Sequence, residues 1–216
     1  MNPSFGRIVI VCAMALLVST ACSSQTQTPT LLSWPEQVQF ATEAAQQIDP
    51  AAVLDTVGAR LDQPPTVDAP LALTFAFARP KGAYIELYFL DTDPPTIQRI
   101  EPDNGRGEVD DSIREQERLR AALATVNIGP REAIRATQVQ GEAFVAEQGS
   151  LFNPRVELFM GKSIQKLVGL PAVWVVYYVG DTETLHISVN PTTGEVLAVA
   201  DDFLELFGAE QPASTP

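Results

Sequence analysis

"HISVNPTTGEVLAV", residues 186–199, alternates polar and apolar positions up to Val189, breaks at Asn190-Pro191-Thr192-Thr193-Gly194, and turns apolar again from Val196. Such runs around an Asn/Pro/Gly segment predict a hairpin of two strands, Thr184 to Val189 and Glu195 to Ala200. Just upstream, Val173 to Val179 (VWVVYYV) is apolar throughout, the pattern of a central strand covered on both faces. Gly180 and Asp181 turn it into the hairpin, and Arg155 to Met160 reads as a shorter strand before it.

Helical patterns precede these strands. Ser112 with Glu115 three residues on has capping-box spacing and opens a helix to Val126. Ile128-Gly129-Pro130 opens another to about Glu147, with Ile134 and Phe144 inward and Gly141 as its weak point. Earlier in the chain the pattern is similar. Pro35 to Gln47 reads as a helix with Val38, Ala41, Ala44 and Ala45 on one stripe. Asp49-Pro50 reads as a cap with proline at the first helical position, predicting a second helix to Leu61 closed by Pro64-Pro65. Leu71 to Ala78 alternates, with Leu71, Leu73, Phe75 and Phe77 on one face. Arg79 to Ala83 turns it into Tyr84 to Leu90, and Thr96 to Ile100 follows as a third strand.

The two halves can be overlaid. Ile48-Asp49-Pro50 matches Ile128-Gly129-Pro130 at an offset of 80, and Leu90 to Ile100 matches Val189 to Val199 at an offset of 99. The difference of 19 predicts an insertion between Gly149 and Leu170. The expected fold class is α+β, two tandem repeats of helices on an antiparallel sheet, at residues 34–103 and 112–207. One α+β domain with two similar-looking halves is the other arrangement this pattern allows.

The order helix, strand, strand, with Asn190, Thr193, Gly194, Glu195 and Val196 in the last hairpin and Arg131-Glu132-Ala133-Ile134 in the helix, resembles a PepSY domain. The sequence departs from that family in carrying Asn where Asp is common. The resemblance covers about Gly129 to Asp201, with a degenerate copy from Leu32 to Glu101, and implies a cystatin-like layering of helix on sheet. PepSY modules are linked with inhibition or chaperoning of secreted peptidases. The resemblance therefore implies a binding module more than a catalyst, whose partner is a secreted protein or peptide. The missing Cys, the lone His186 and the absence of a nucleophile motif motivate the noncatalytic reading, with no metal or cofactor expected.

The N-terminus addresses the chain. Arg7 is the only charge among the first 21 residues, Ile8 to Val18 is unbroken apolar, and small residues lead to Cys22. This is the layout of an export signal rather than of a spanning helix, which needs about 20 apolar residues. Val18-Ser19-Thr20-Ala21-Cys22 resembles a bacterial lipoprotein signal, with Ser19 where Leu is usual. The resemblance implies cleavage after residue 21, lipid attachment at Cys22, and a body anchored to the outer face of a bacterial membrane. Residues 22–33 then form a polar tether, and Gly208 to Pro216 a disordered tail.

Beyond Cys22 there is no cysteine, so the body has no disulfide and no thiol chemistry. Without residues 1–21 the chain carries 13 Lys and Arg against 27 Asp and Glu, a net charge of −14. That field repels phosphate backbones, which argues against nucleic acid as a partner.

Few residues suggest chemistry. Gly161-Lys162-Ser163 lacks the upstream glycine of a phosphate loop, because Val156 stands there. His186, the only histidine, sits in a strand without a G-x-S-x-G nucleophile motif. The acidic stretches Asp91-Thr92-Asp93, Asp103 to Asp111 and Asp201-Asp202 lack EF-hand spacing and read as solvated loops. Trp174, Tyr177, Tyr178, Leu167 and Leu170 could line an apolar binding surface, although such residues more often form core. They also motivate the alternative function, a carrier of an apolar small molecule or lipid in the cell envelope.

Overall fold

Asp49-Pro50 closes a helix rather than opening one. The computed structural model describes residues 31–61, 71–79, 84–92, 95–103, 113–151, 154–203 and 205–207. In it helix α1 runs Trp34–Ile48, and Asp49 follows in extended backbone with its N–H donating to the Ala45 carbonyl. The Asp49 carboxylate accepts the Ala51 N–H at 2.9 Å and Arg79 Nε at 3.1 Å, and these donors hold its pKa below the usual carboxylate value. Proline suits both ends of a helix, because it fits the first turn and cannot continue the last.

The helix expected after it is instead strand β1, Val53–Arg60. A β-bulge disguised it: the pairing register shifts between Leu54 and Thr56. Leu54, Val57, Ala59 and Leu61 consequently all reach the main core, so the first two lie three positions apart where a regular strand would place them two apart. Asp55, the extra residue, is half-buried and accepts the Tyr84 hydroxyl at 3.0 Å. Burial pushes its carboxyl pKa up against that hydrogen bond, and the nearby Glu115 charge adds to the rise.

Strands β2 (Ala72–Ala78), β3 (Tyr84–Leu90) and β4 (Thr96–Asp103) complete a meander. Helices α2 (Ile113–Leu123), α3 (Pro130–Ala136) and α4 (Gln138–Gln148) lead to β5 (Arg155–Met160). Then come α5 (Lys162–Val168), β6 (Ala172–Val179), β7 (Thr184–Val189), β8 (Val196–Ala200) and a 3₁₀ turn, Glu205–Phe207. The helix expected over 130–147 is broken at Thr137, whose hydroxyl bonds the Ile134 carbonyl at 3.0 Å and the Tyr178 hydroxyl at 2.8 Å.

The class is α+β: five α-helices among the described residues and one eight-stranded antiparallel sheet in the order β4-β3-β2-β1-β5-β6-β7-β8. β1 and β5 pair at its middle, Val57 opposite Leu158 and Ala59 opposite Val156. Strands β2 and β6 start at Ala72 and Ala172, β3 and β7 at Tyr84 and Thr184, β4 and β8 at Thr96 and Val196, each pair 100 residues apart. The connections 61–71 and 161–171 have equal length, so there is no 19-residue insertion between Gly149 and Leu170. The offset of 80 had compared a helix end with a helix start. Ser33 and Gly129 each precede a helix, and the N–H of each donates to the glutamate three residues on, Glu36 at 2.8 Å and Glu132 at 3.0 Å.

One apolar cluster under the helices spans both halves, including Trp34, Phe75, Phe77, Phe89, Leu158, Trp174 and Ile187. Each such side chain contributes about 1.5–3 kcal/mol by leaving water, which makes this layer the main source of stability. Trp34 of α1 meets Trp174 of β6 edge-on at 5.4 Å between ring centroids and stacks with Phe75 of β2 at 6.3 Å. A smaller cluster on the outer face joins Ile164, Val173, Val175, Tyr177 and Leu206.

Candidate functional site

The hairpin that suggested the fold holds itself together. Asn190 Oδ1 accepts the N–H groups of Thr192 at 2.9 Å and Thr193 at 3.3 Å, and Gly194 takes φ +79°, a left-handed conformation that favours glycine. The turn docks on the connection between α2 and α3. Pro191 O accepts the N–H groups of Asn127 and Ile128, and the Thr192 hydroxyl donates to Thr125 O at 2.7 Å. Its polar residues are thus occupied by the chain itself.

The candidate apolar residues separate. Trp174 and Tyr178 are buried on the helix side, where Trp174 Nε1 donates to Ile128 O at 3.1 Å. Tyr177, one pleat away, is buried on the outer face, with the Arg155 guanidinium 4.2 Å over its ring and its hydroxyl pKa pushed up by burial. Leu167 is exposed on α5 and Leu170 half-buried just beyond it. These five do not share one surface, because alternate residues of a strand face opposite sides. Cys22 lies outside the described residues.

The other motifs also find partners within the chain. Lys162 N–H, at the start of α5, donates to Glu115 Oε1 at 3.3 Å, so a carboxylate stands where a phosphate loop would hold its ligand. His186 is half-buried, edge-on to Tyr177 at 5.1 Å and to Phe203 at 6.1 Å. Burial lowers its pKa, opposed by a hydrogen bond to the Asp201 backbone and the Asp202 charge. Asp91 is fully buried and takes Arg131 Nη2 at 2.8 Å and Nε at 3.1 Å on one oxygen, Oδ2. The expectation of a solvated loop therefore fails at Asp91, which is buried against α3 as the partner of Arg131. Asp93 and residues 104–111 lie outside the described residues, and Asp201 and Asp202 are exposed.

A groove that the sequence did not announce lies between α1 and the end of α2. Its volume is about 430 Å³, and Trp34, Pro35, Val38, Leu123 and Val126 give it an apolar lining. Gln39, Thr42, Glu43 and Gln46 form its polar wall, and Gln39 Nε2 donates to Glu43 Oε1 at 2.9 Å. The packing of α1 explains its position. Ala41 and Ala45 bury one stripe against the sheet, and Phe40 meets Phe89 edge-on at 5.6 Å. The neighbouring row, Val38, Thr42 and Gln46, at helical four-residue spacing, is left facing α2. Apolar contacts with two amides, one hydroxyl and one carboxylate suit an extended polypeptide, whose backbone supplies N–H donors and whose side chains supply the apolar anchors.

No helix among the described residues is long and apolar enough to cross a membrane. No protein-family model matches the chain, and no curated protein matches it. Among solved structures the chain is similar to a crystal structure of a lipoprotein candidate from Clostridium difficile 630. Identity is 11%, over 82% of this chain and 97% of that one, with a TM-score of 0.44.

Proposed function

We propose that this chain is a noncatalytic, lipid-anchored module of the bacterial envelope that binds a protein or peptide, with a secreted peptidase among the partners its PepSY-like sequence suggests. The observation that carries the reading is the open groove along α1, apolar at its base and lined by Gln39, Thr42, Glu43 and Gln46. Its place near the entry of the chain adds support. Trp34 is twelve positions after Cys22, and such a length reaches at most about 40 Å. An acyl anchor at Cys22 keeps the groove within that distance of the bilayer.

The tandem-repeat reading belongs to this proposal. Its support is the mirrored strand order about the β1–β5 pair and the 100-residue spacing of three strand pairs. Binding at the surface is favoured over carriage of a lipid inside, because Trp34, Trp174, Phe75 and Tyr178 pack the layer between helices and sheet. Two experiments test the proposal. Metabolic palmitate labelling is expected to mark the wild type and not Cys22→Ala, which should leave the membrane fraction. Crosslinked pull-down from intact envelopes is expected to recover a partner with the wild type and not with Thr42→Arg. Recovery of the same proteins with both forms, or of none, overturns the binding assignment.

A further inference from the structure

Strand β8 ends the sheet. Its five residues, Val196-Leu197-Ala198-Val199-Ala200, carry no charge and no proline. Among the described residues only β7 pairs with it. Leu197 and Val199 are 42% and 48% exposed, two of the few large apolar side chains so placed. Val199 lies opposite Ile187, on the helix-side face of the sheet. Edge strands present unpaired N–H and C=O groups along one side, and natural edges are blunted with charge, proline, bulges or short length. β8 is short and carries a register shift at Leu197, but has no charge or proline along it. Here acids stand only at the two ends, Glu195 before the strand and Asp201 and Asp202 after it, and Glu195 and both aspartates are exposed.

We propose that β8 is a docking edge for an extended apolar segment of another protein that carries basic residues at both ends. Charge decides between this occupant and a second copy of the chain. An antiparallel self-pairing centred on Ala198 sets Glu195 of one copy against Asp201 of the other at both ends, and an in-register parallel pairing sets each acid against itself. Like charges directly opposite in a sheet destabilise the pair, whereas opposite charges stabilise it. A lysine- or arginine-flanked strand gains backbone hydrogen bonds, apolar contact with Leu197 and Val199, and attraction at both ends. The edge is formed by β8 alone, whereas the groove is lined by α1 and the end of α2, so the inference does not require the groove.

The test uses the peptide KVLAVAKK, which is residues 195–202 with its acids replaced by lysine, against the native EVLAVADD and the equally charged KVLPVAKK. Binding to the whole protein is read by calorimetry at physiological salt. The lysine-flanked peptide is expected to bind saturably, with the other two at least about tenfold weaker. Substitution of Glu195→Lys with Asp201→Lys, two exposed positions, is expected to reverse the preference toward EVLAVADD. Thr42→Arg should leave all of this unchanged. Equal binding of KVLAVAKK and KVLPVAKK would show charge attraction alone and overturn the proposal. Absence of saturable binding, or a dimer of the native chain that the paired substitution alters, overturns it as well.

Discussion

The ring of Tyr178 occupies the space in which a β-carbon on residue 141 would sit, so α4 approaches β6 this closely only because residue 141 is glycine. The same tyrosine ends in a buried hydrogen bond to Thr137, at the break between α3 and α4. Two effects oppose each other at this position. Alanine would favour the helix by about 1 kcal/mol, but overpacking against a fixed core ring costs about 1–3 kcal/mol. The ring is 2% exposed and held at its hydroxyl, so the clash wins. Gly141→Ala is expected to lower stability by about 1–2 kcal/mol in urea unfolding, and pairing it with Tyr178→Leu should recover part of that loss.

The Asp91–Arg131 pair joins the end of β3 to the first turn of α3, and so ties the two halves together. Removing one partner of a buried pair strands the other. Asp91→Ala is expected to cost about 3–5 kcal/mol, and Arg131→Met in the same chain should restore part of it. Denaturant titration of the two single variants and the double variant checks the coupling. Additive losses would contradict a direct interaction.

Asp55 gives the chain a signed response to pH. Its folded pKa is raised above the unfolded value of 3.8. The stability linked to its proton is therefore complete below about pH 3.8 and is lost as pH rises through the folded value. Asp55→Asn retains a partner for the Tyr84 hydroxyl and removes the buried charge. The variant is expected to melt above the wild type at about pH 7, with the difference vanishing toward pH 3. Thermal unfolding across that range reads it directly.

His186 responds in the opposite sense. Its folded pKa lies below 6.5, so its contribution is present above pH 6.5 and is lost as pH falls through the folded value. His186→Gln is expected to flatten the stability profile between about pH 5 and 7.

Asn190 tests whether the hairpin motif serves structure. Asn190→Ala removes the acceptor of two backbone N–H groups and is expected to cost about 1 kcal/mol. Asn190→Asp, whose carboxylate can accept the same two donors, should be close to neutral.

Several elements were plain in the sequence for physical reasons that the structure makes visible. Leu71, Leu73, Phe75 and Phe77 alternate because β2 has helices on one side only, and Val173 to Val179 is evenly apolar because β6 has core on both. The failures were specific. Leu54 and Val57 imitated a helix because a bulge at Asp55 shifted the strand register, and Asp49-Pro50 marked a helix end with residues that also mark a start. The groove stayed hidden because it depends on α2 lying beside α1, a contact between segments about 80 residues apart that no local pattern encodes. Its only trace was the row Val38, Thr42 and Gln46, one step around α1 from the alanines that reach the core.

Site-specific photocrosslinking from residue 42 in living cells tests the binding assignment most directly. A benzophenone side chain at Thr42, inside the groove, is expected to give one discrete protein adduct, while the same group at Glu157, on a central strand away from α1, gives none. The absence of any adduct from residue 42, or the same adducts from both positions, would contradict a partner seated along α1.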